Sequence, residues 1–127
     1  MASSGVYGDW AVPSKSIVRI YKCGNYACAK IVKLADTVPV RKDVRNPDAS
    51  QHNRSLCGLN IGSNFTEVDS SHLKDGHLYD PKSGHTYSGT ISSVGNDLHL
   101  RGYIGFPIFG RSEIWHRVPA TDESQCR

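Results

Sequence analysis

The sequence lacks any long apolar run. Its hydrophobic content is 38% and its mean hydropathy is −0.43, and no stretch approaches the ~20 consecutive apolar residues of a membrane-spanning helix. We therefore expect no integral membrane segment. The first ten residues, MASSGVYGDW, also lack the basic start and apolar core of a signal peptide. Two interpretations remain, a cytosolic protein or a mature exported protein with a new initiator methionine.

A concentrated charge of one sign is also missing. Fifteen basic and twelve acidic residues give a formal net charge of +3. The basic residues are scattered, and the nearest to a group is Arg41, Lys42 and Arg45 in one polar loop. Because nucleic-acid-binding domains usually carry a denser basic stripe, the sequence predicts no nucleic-acid partner.

Sequence motifs for catalysis are absent as well. None of the six histidines lies in a Gly-x-Ser-x-Gly or His-Glu-x-x-His motif, and there is no glycine-rich phosphate loop. We therefore predict no enzyme activity, no catalytic residue, no metal and no cofactor. The nearest cluster is His77, Asp80 and His85, which a short hairpin could bring together. These residues could be ordinary polar side chains on an exposed hairpin. The weaker alternative is that the protein is a metal-binding protein or an enzyme that uses this 77–85 hairpin.

Most large apolar residues of the C-terminal half lie in the stretch Leu98–Arg117. Its first part alternates as a strand should, and Gly105, Pro107 and Gly110 then interrupt it. In the second part, 112–118, one face carries Ile114, His116 and Val118, and the other carries Glu113, Trp115 and Arg117. Apolar content on both faces favours a barrel or a sandwich over a sheet with one wet face.

About eight short strands follow one another with turn residues between them, which predicts an all-β, closed or nearly closed antiparallel barrel. At 127 residues we expect a single domain, 1–127. The stretch 67–75 is predicted to be a polar turn. The predicted strands begin at Gly8 and then cover 16–23, 28–34, 54–65, 76–80, 85–92, 98–104 and 112–118.

Four stretches, in order and spacing, resemble a bacterial family catalogued as domain of unknown function 2147. The closing one is RGYIGFPIFGRSEIWHR, and the others are Gly8-Asp9-Trp10 with 17–21, the segment 43–48 with Arg54 and 56–59, and the segment 75–81 with 84–87. The resemblance implies a small exported protein with a lipocalin-like (calycin-like) barrel and no settled activity. It therefore favours a periplasmic or secreted location.

A Gly-x-Trp at the start of an eight-stranded barrel is also what lipocalins carry, with an arginine from a late strand over the tryptophan. Arg117 is the predicted partner of Trp10, and Arg101 is the second choice. The alternative is that Trp10 is an ordinary core aromatic residue. Both interpretations give these residues a structural role.

The four cysteines suggest disulfides in an exported protein. Cys23 and Cys28 flank a predicted four-residue loop, so they should occupy matching positions on facing strands. A zinc site would need further ligands that the hairpin does not supply. Cys57 and Cys126 are left either as a second pair or as two free thiols.

The leading functional hypothesis is non-enzymatic binding of a small, mostly apolar ligand inside the barrel. The candidate lining residues are Tyr79, Tyr87, Tyr103, Phe109 and Trp115. The main alternative is a structural or interaction protein with a filled core that acts through its 36–53 loop. Asp43, Asp48 and Arg54 could form an ion-paired clamp in that loop, or the loop could be a lid. No oligomeric state is predicted.

Overall fold

The computed structural model describes residues 5–103 and 110–126, which form a closed eight-stranded antiparallel barrel. The strands are β1 (Gly8–Ala11), β2 (Ile17–Cys23), β3 (Tyr26–Lys33), β4 (Asn60–Asp69), β5 (His72–Asp80), β6 (His85–Val94), β7 (Asp97–Tyr103) and β8 (Arg111–Val118). Each strand pairs with the next, and β1 pairs with β8. The prediction of a small closed barrel is confirmed. Two short 3-10 helices cover Ala49–Gln51 and Glu123–Gln125, and no described helix is long and apolar enough to span a membrane.

The two ends of the barrel differ in their connections. At one end, which we name the plugged end, the turns are two residues long, at 24–25, 70–71 and 95–96. Residues 5–7, which lead into β1, lie beside the 70–71 turn at this end. At the other, the loop end, the connections are 12–16, 34–59 and 81–84, and β7 ends and β8 begins there. The long 34–59 connection therefore lies at the same end as the β5–β6 connection.

The interior follows from strand alternation, because every second side chain faces inward. Directly paired residues share a face, so Leu98 and Trp115 both point inward and are 0% and 4% exposed. Gly76 also lies on this inner face, where a Cβ atom would overlap the ring of Phe65. The largest fully buried side chains of the core are Trp10, Phe65, Ile20, Leu73, Leu98 and Val6.

Two bulges keep the inner face continuous in β4 and β5. Asn64 and Asp75 have positive φ angles of 61° and 57°, and the pairing register shifts between Leu73 and Gly76. An extra residue in one strand would otherwise turn its neighbours to the wrong face. The bulges therefore let Phe65 and Gly76 both stay inside.

The predicted polar turn at 67–75 is wrong. β4 continues to Asp69 and β5 begins at His72, so that only two serines form the turn. The strands are polar because their side chains are mostly exposed here. The predicted strand 54–65 also begins later, at Asn60, because the preceding backbone bonds elsewhere: Leu56 N donates to Arg41 O at 2.9 Å.

Both cysteine pairs are disulfide-bonded. The first hairpin has a two-residue turn instead of the predicted four-residue loop, so Cys23 lies opposite Tyr26 and Cys28 lies opposite Tyr21. The bridge is thus diagonal, with 5.9 Å between the Cα atoms, which the strong twist of a hairpin permits. Cys57 and Cys126, with Cα atoms 5.5 Å apart, join the C-terminal tail to the 34–59 connection.

Candidate functional site

The plugged end is closed by the chain that precedes β1. Val6 is 0% exposed, and its N–H donates to the carbonyl oxygen of Ser70 at 2.8 Å. Its own carbonyl accepts a hydrogen bond from Trp10 Nε1 at 3.0 Å. The indole therefore fills this end of the barrel with its polar group satisfied.

Arg117 covers Trp10 from β8. The guanidinium carbon lies 4.2 Å from the indole ring centre, a cation–π geometry. Nη1 donates to Tyr7 O at 3.1 Å, and Nη2 donates to Gly5 O. Burial lowers the pKa of Arg117, but an arginine remains charged at neutral pH. Trp10 is 0% exposed, so no part of the indole is accessible to solvent.

The outer wall at this end carries an ion-pair network that the sequence analysis missed. Asp9 is 4% exposed and accepts hydrogen bonds from Arg19 Nε at 2.8 Å and from Thr121 N at 2.6 Å. Glu123 adds a contact of 2.9 Å to Lys30 Nζ. The network fastens the C-terminal tail to β1, β2 and β3. No local sequence pattern links Asp9 with a residue more than a hundred positions away.

The 34–59 connection is organised around a buried carboxylate. Asp43 is 0% exposed and accepts hydrogen bonds from Tyr79 Oη at 2.5 Å, Asn46 Nδ2 at 2.9 Å and Arg54 Nε at 2.9 Å. Burial by itself would raise the pKa of Asp43, but these hydrogen bonds outweigh it and lower the pKa. Burial, aided by the bond to Asp43, also raises the pKa of Tyr79 to about 12.

The structure divides the predicted clamp. Asp43 and Arg54 pair, but Asp48 does not join them, because its carboxylate accepts from Ser50 N at 3.0 Å and caps the first 3-10 helix. Tyr79 completes the Asp43 cluster instead. The sequence did not indicate that Tyr79 joins this cluster, because Tyr79 lies in β5, 36 residues from Asp43.

The five predicted lining residues do not form one cluster. Tyr87 and Trp115 are on the inner face of the barrel, whereas Tyr79 and Tyr103 are on the outer face by strand alternation. Tyr79 is held by Asp43 at the outer side of β5, and Tyr103 is paired with Ser88. Phe109 lies outside the described residues. Two of the four described residues therefore face the interior.

Two charged residues join Tyr87 and Trp115 on the inner face, near the loop end. Arg111 is paired with Gly102 and Glu113 with Leu100, so alternation turns both side chains inward, yet both residues are exposed. Arg111 Nη1 donates to Tyr87 Oη at 3.3 Å, and Trp115 Nε1 donates to Glu113 Oε1 at 2.5 Å. We name these four residues the loop-end cluster.

The electrostatics of the loop-end cluster are mixed. The hydrogen bond to Tyr87 raises the pKa of Arg111, and the nearby charges of Asp80 and Glu113 act in the same direction. The cluster thus combines two aromatic rings with one cation and one anion that are open to solvent. The sequence contained one usable signal for it, since 111, 113 and 115 alternate on the face that also carries Arg117.

The 77–85 hairpin does not assemble its three predicted residues. His77 is paired with Ser88 on the outer face, whereas alternation places His85 on the face of Tyr87. The Asp80 carboxylate is engaged by its own turn, with Lys82 N and Ser83 Oγ as donors at 3.0 and 2.9 Å. Within residues 5–103 and 110–126, no three His, Cys, Asp or Glu side chains are arranged to hold a metal ion.

Comparison with known proteins agrees with this geometry. The model of a family described as an uncharacterized protein conserved in bacteria, DUF2147, matches residues 8–117. A solved structure of protein HP1028 from Helicobacter pylori, described as belonging to the lipocalin family, superimposes with a TM-score of 0.81. It is 23% identical, and the match covers 96% of this chain and 87% of that one. No curated protein matches the sequence.

Proposed function

The chain belongs to the DUF2147 family of bacterial proteins and has a lipocalin-like fold, and from that premise we propose that it binds a small, mostly apolar ligand at the loop end of its barrel. The observation that carries the proposal is the pair Arg111 and Glu113. Both are on the inner face, and both are exposed. Charged side chains that face a barrel interior need water, a ligand or partners within the protein, and the exposure of these two leaves them accessible to a ligand.

The filled plugged end limits where such a ligand can lie. Trp10, Ile20, Leu73 and Leu98 are each 2% exposed or less, so their part of the interior has no room for a guest. A ligand would rest above these residues, with Tyr87 on one wall and Trp115 beneath it. This predicts a shallow site for a small molecule.

The side chains of the loop-end cluster also suggest the ligand's chemistry. The two aromatic rings favour an apolar or aromatic body. Arg111 favours an acidic or hydrogen-bond-accepting group on that body, and Glu113 favours a donor. We therefore propose an amphiphilic molecule, mostly apolar, with its polar group oriented toward β8.

Two disulfides in a bacterial protein are compatible with an extracytoplasmic location, because such bonds persist in oxidising compartments. We propose a periplasmic or secreted protein that binds without catalysing a reaction. The alternative role for the 36–53 loop, as an interaction surface, is compatible with this binding.

A fluorescence titration with 8-anilinonaphthalene-1-sulfonate tests the site, because this probe joins an apolar ring system to an anion. Tyr87→Ala is expected to weaken probe binding about tenfold, since it removes an aromatic wall. Tyr103→Ala is the matched control, because it deletes the same side chain from the outer face of a neighbouring strand. It should leave the affinity unchanged.

The neutral probe N-phenyl-1-naphthylamine separates the apolar from the ionic contribution. Arg111→Gln should weaken binding of the sulfonate probe more than binding of the neutral one. The proposal would be wrong if neither probe bound the folded protein, or if Tyr103→Ala weakened binding while Tyr87→Ala did not.

A further inference from the structure

A strip of the 34–59 connection exposes apolar and basic side chains side by side. Val40 is 47% exposed and Val44 is 44% exposed. Lys42 and Arg45 are exposed next to them. Single exposed valines are common on protein surfaces, but here two of them lie within the six-residue segment 40–45 together with three basic residues.

The strip is held in place by its neighbours. Asp43, in the middle of it, is anchored by Tyr79 and Arg54. Lys42 forms an isolated β-bridge with Ser55. The carbonyl of Arg45 packs so closely on Gly84 that a Cβ atom there would overlap it. Val40 and Val44 are therefore presented at the loop end by backbone that is fixed on both sides.

Charge is distributed unevenly along the barrel axis. The connections at the loop end, with the strand residues that border them, contain eight basic and four acidic residues. The basic ones are Lys15, Lys33, Arg41, Lys42, Arg45, Arg54, Lys82 and Arg111, and the acidic ones are Asp36, Asp43, Asp48 and Asp80. Over the same kind of positions at the plugged end, the described residues include Asp69 and Asp97 and no lysine or arginine.

We propose that the loop end docks on an anionic lipid bilayer, with Val40 and Val44 between the headgroups and Lys42 and Arg45 beside the phosphates. Basic residues near an anionic bilayer are attracted to it, while exposed aliphatic side chains gain by leaving water. A stable protein interface would need about 800 Å² on each partner and usually aromatic anchors. Two exposed valines among basic residues therefore fit the headgroup layer of a lipid bilayer better than they fit a stable protein interface.

Vesicle flotation tests the proposal on the full chain. We expect binding to vesicles of equal parts phosphatidylglycerol and phosphatidylcholine, little binding to pure phosphatidylcholine, and weakening as salt screens the charges. Lys42→Gln with Arg45→Gln should weaken binding at least tenfold, from about fivefold per charge. Val40→Asn with Val44→Asn should also weaken it, at unchanged net charge.

The matched control is Lys22→Gln with Lys74→Gln, which removes two exposed charges near the plugged end. It should have little effect. Three results would each overturn the proposal: no binding to anionic vesicles at low salt, equal loss in the control variant, or unchanged binding after loss of both valines.

This docking surface does not depend on ligand binding in the barrel. In solution without vesicles, the valine variant should bind 8-anilinonaphthalene-1-sulfonate as the parent protein does. Conversely, Tyr87→Ala should float with anionic vesicles as the parent protein does. Failure of one proposal is therefore distinguishable from failure of the other.

Discussion

The two ends of this barrel use similar residues for different purposes. At the plugged end, Trp10 and Arg117 stack, and the indole N–H and both guanidinium Nη atoms donate to backbone carbonyls. Toward the loop end, Trp115 is also buried, but its indole N–H donates to the carboxylate of Glu113, and Glu113 is exposed to solvent. Each end thus pairs a tryptophan with charged groups, one sealed and the other open to solvent.

Under the proposed function, the two ends have separate roles. Burying a polar group without a partner is costly. At the plugged end, Trp10 Nε1 and both Nη atoms of Arg117 have partners, whereas Arg117 Nε is buried without one among the described residues. Exposed charges on an inner face contribute little to folding and remain available to a guest. We therefore expect substitutions at the plugged end to change stability, and substitutions in the loop-end cluster to change binding.

The largest effect is expected for Trp10→Ala. Removing a buried indole leaves a cavity and an uncovered Arg117, and such changes cost about 3–5 kcal/mol of the free energy of unfolding. Urea denaturation followed by circular dichroism measures this loss. A loss under about 1 kcal/mol would mean that the plugged end does not stabilise the barrel.

The second effect concerns the disulfide that ties the tail from the plugged end to the 34–59 connection. Cys57→Ser with Cys126→Ser should lower the free energy of unfolding by about 4 kcal/mol, because the bridge closes a loop of 69 residues. Cys23→Ser with Cys28→Ser is the natural control, since the shorter loop predicts about 2 kcal/mol. The reverse order would contradict an entropic origin for the difference.

The third effect is pH-dependent and is located at Asp43. Its pKa is lower in the folded than in the unfolded protein, so its stabilising contribution is present above the unfolded value near 3.8 and is lost as pH falls through the folded pKa. Asp43→Asn should therefore cost about 2 kcal/mol at neutral pH, since Arg54 can turn to water. The difference in the free energy of unfolding between this variant and the parent protein should disappear at acidic pH.

Denaturation curves at neutral pH and at a series of acidic pH values measure that difference. Asp48→Asn is the comparison, because Asp48 is exposed and only caps a 3-10 helix. If the two variants lost the same stability at neutral pH, Asp43 would not be the anchor of the loop.

The smallest effect on stability is expected in the loop-end cluster. Arg111→Gln should change the free energy of unfolding by no more than about 0.5 kcal/mol, because the side chain is exposed. The same variant should weaken the sulfonate probe. A large loss of stability with unchanged probe binding would remove the distinction between the two ends.

Much of the fold follows from local patterns in the sequence. Alternating side chains and turn residues were sufficient to predict eight strands and closure. The bulges were not predictable, because Asn64 resembles an ordinary polar strand residue, Asp75 lies in the stretch predicted as a turn, and the positive φ angles of both depend on strand pairing. The Cys23–Cys28 disulfide was predicted, but its diagonal position was not, since turn length sets the register of the whole hairpin.

The site was less predictable than the fold. Alternation groups Glu113 with Trp115, but which face is inward depends on pairing with Leu98 and Leu100 in β7. Tyr79 and Tyr87 lie on neighbouring strands and look equivalent in sequence. Long-range contacts separate them, because Tyr79 is drawn to Asp43 outside the barrel and Tyr87 to Arg111 inside it.

The most direct test of the account is a nuclear magnetic resonance titration of the ¹⁵N-labelled protein with 8-anilinonaphthalene-1-sulfonate. We predict that the backbone amides of Tyr87, Arg111 and Glu113 shift with a single saturating dissociation constant. The amides of Val6 and Trp10 should stay unchanged. Saturable shifts confined to the plugged end or to the outer wall would contradict the division between a sealed end and a binding end.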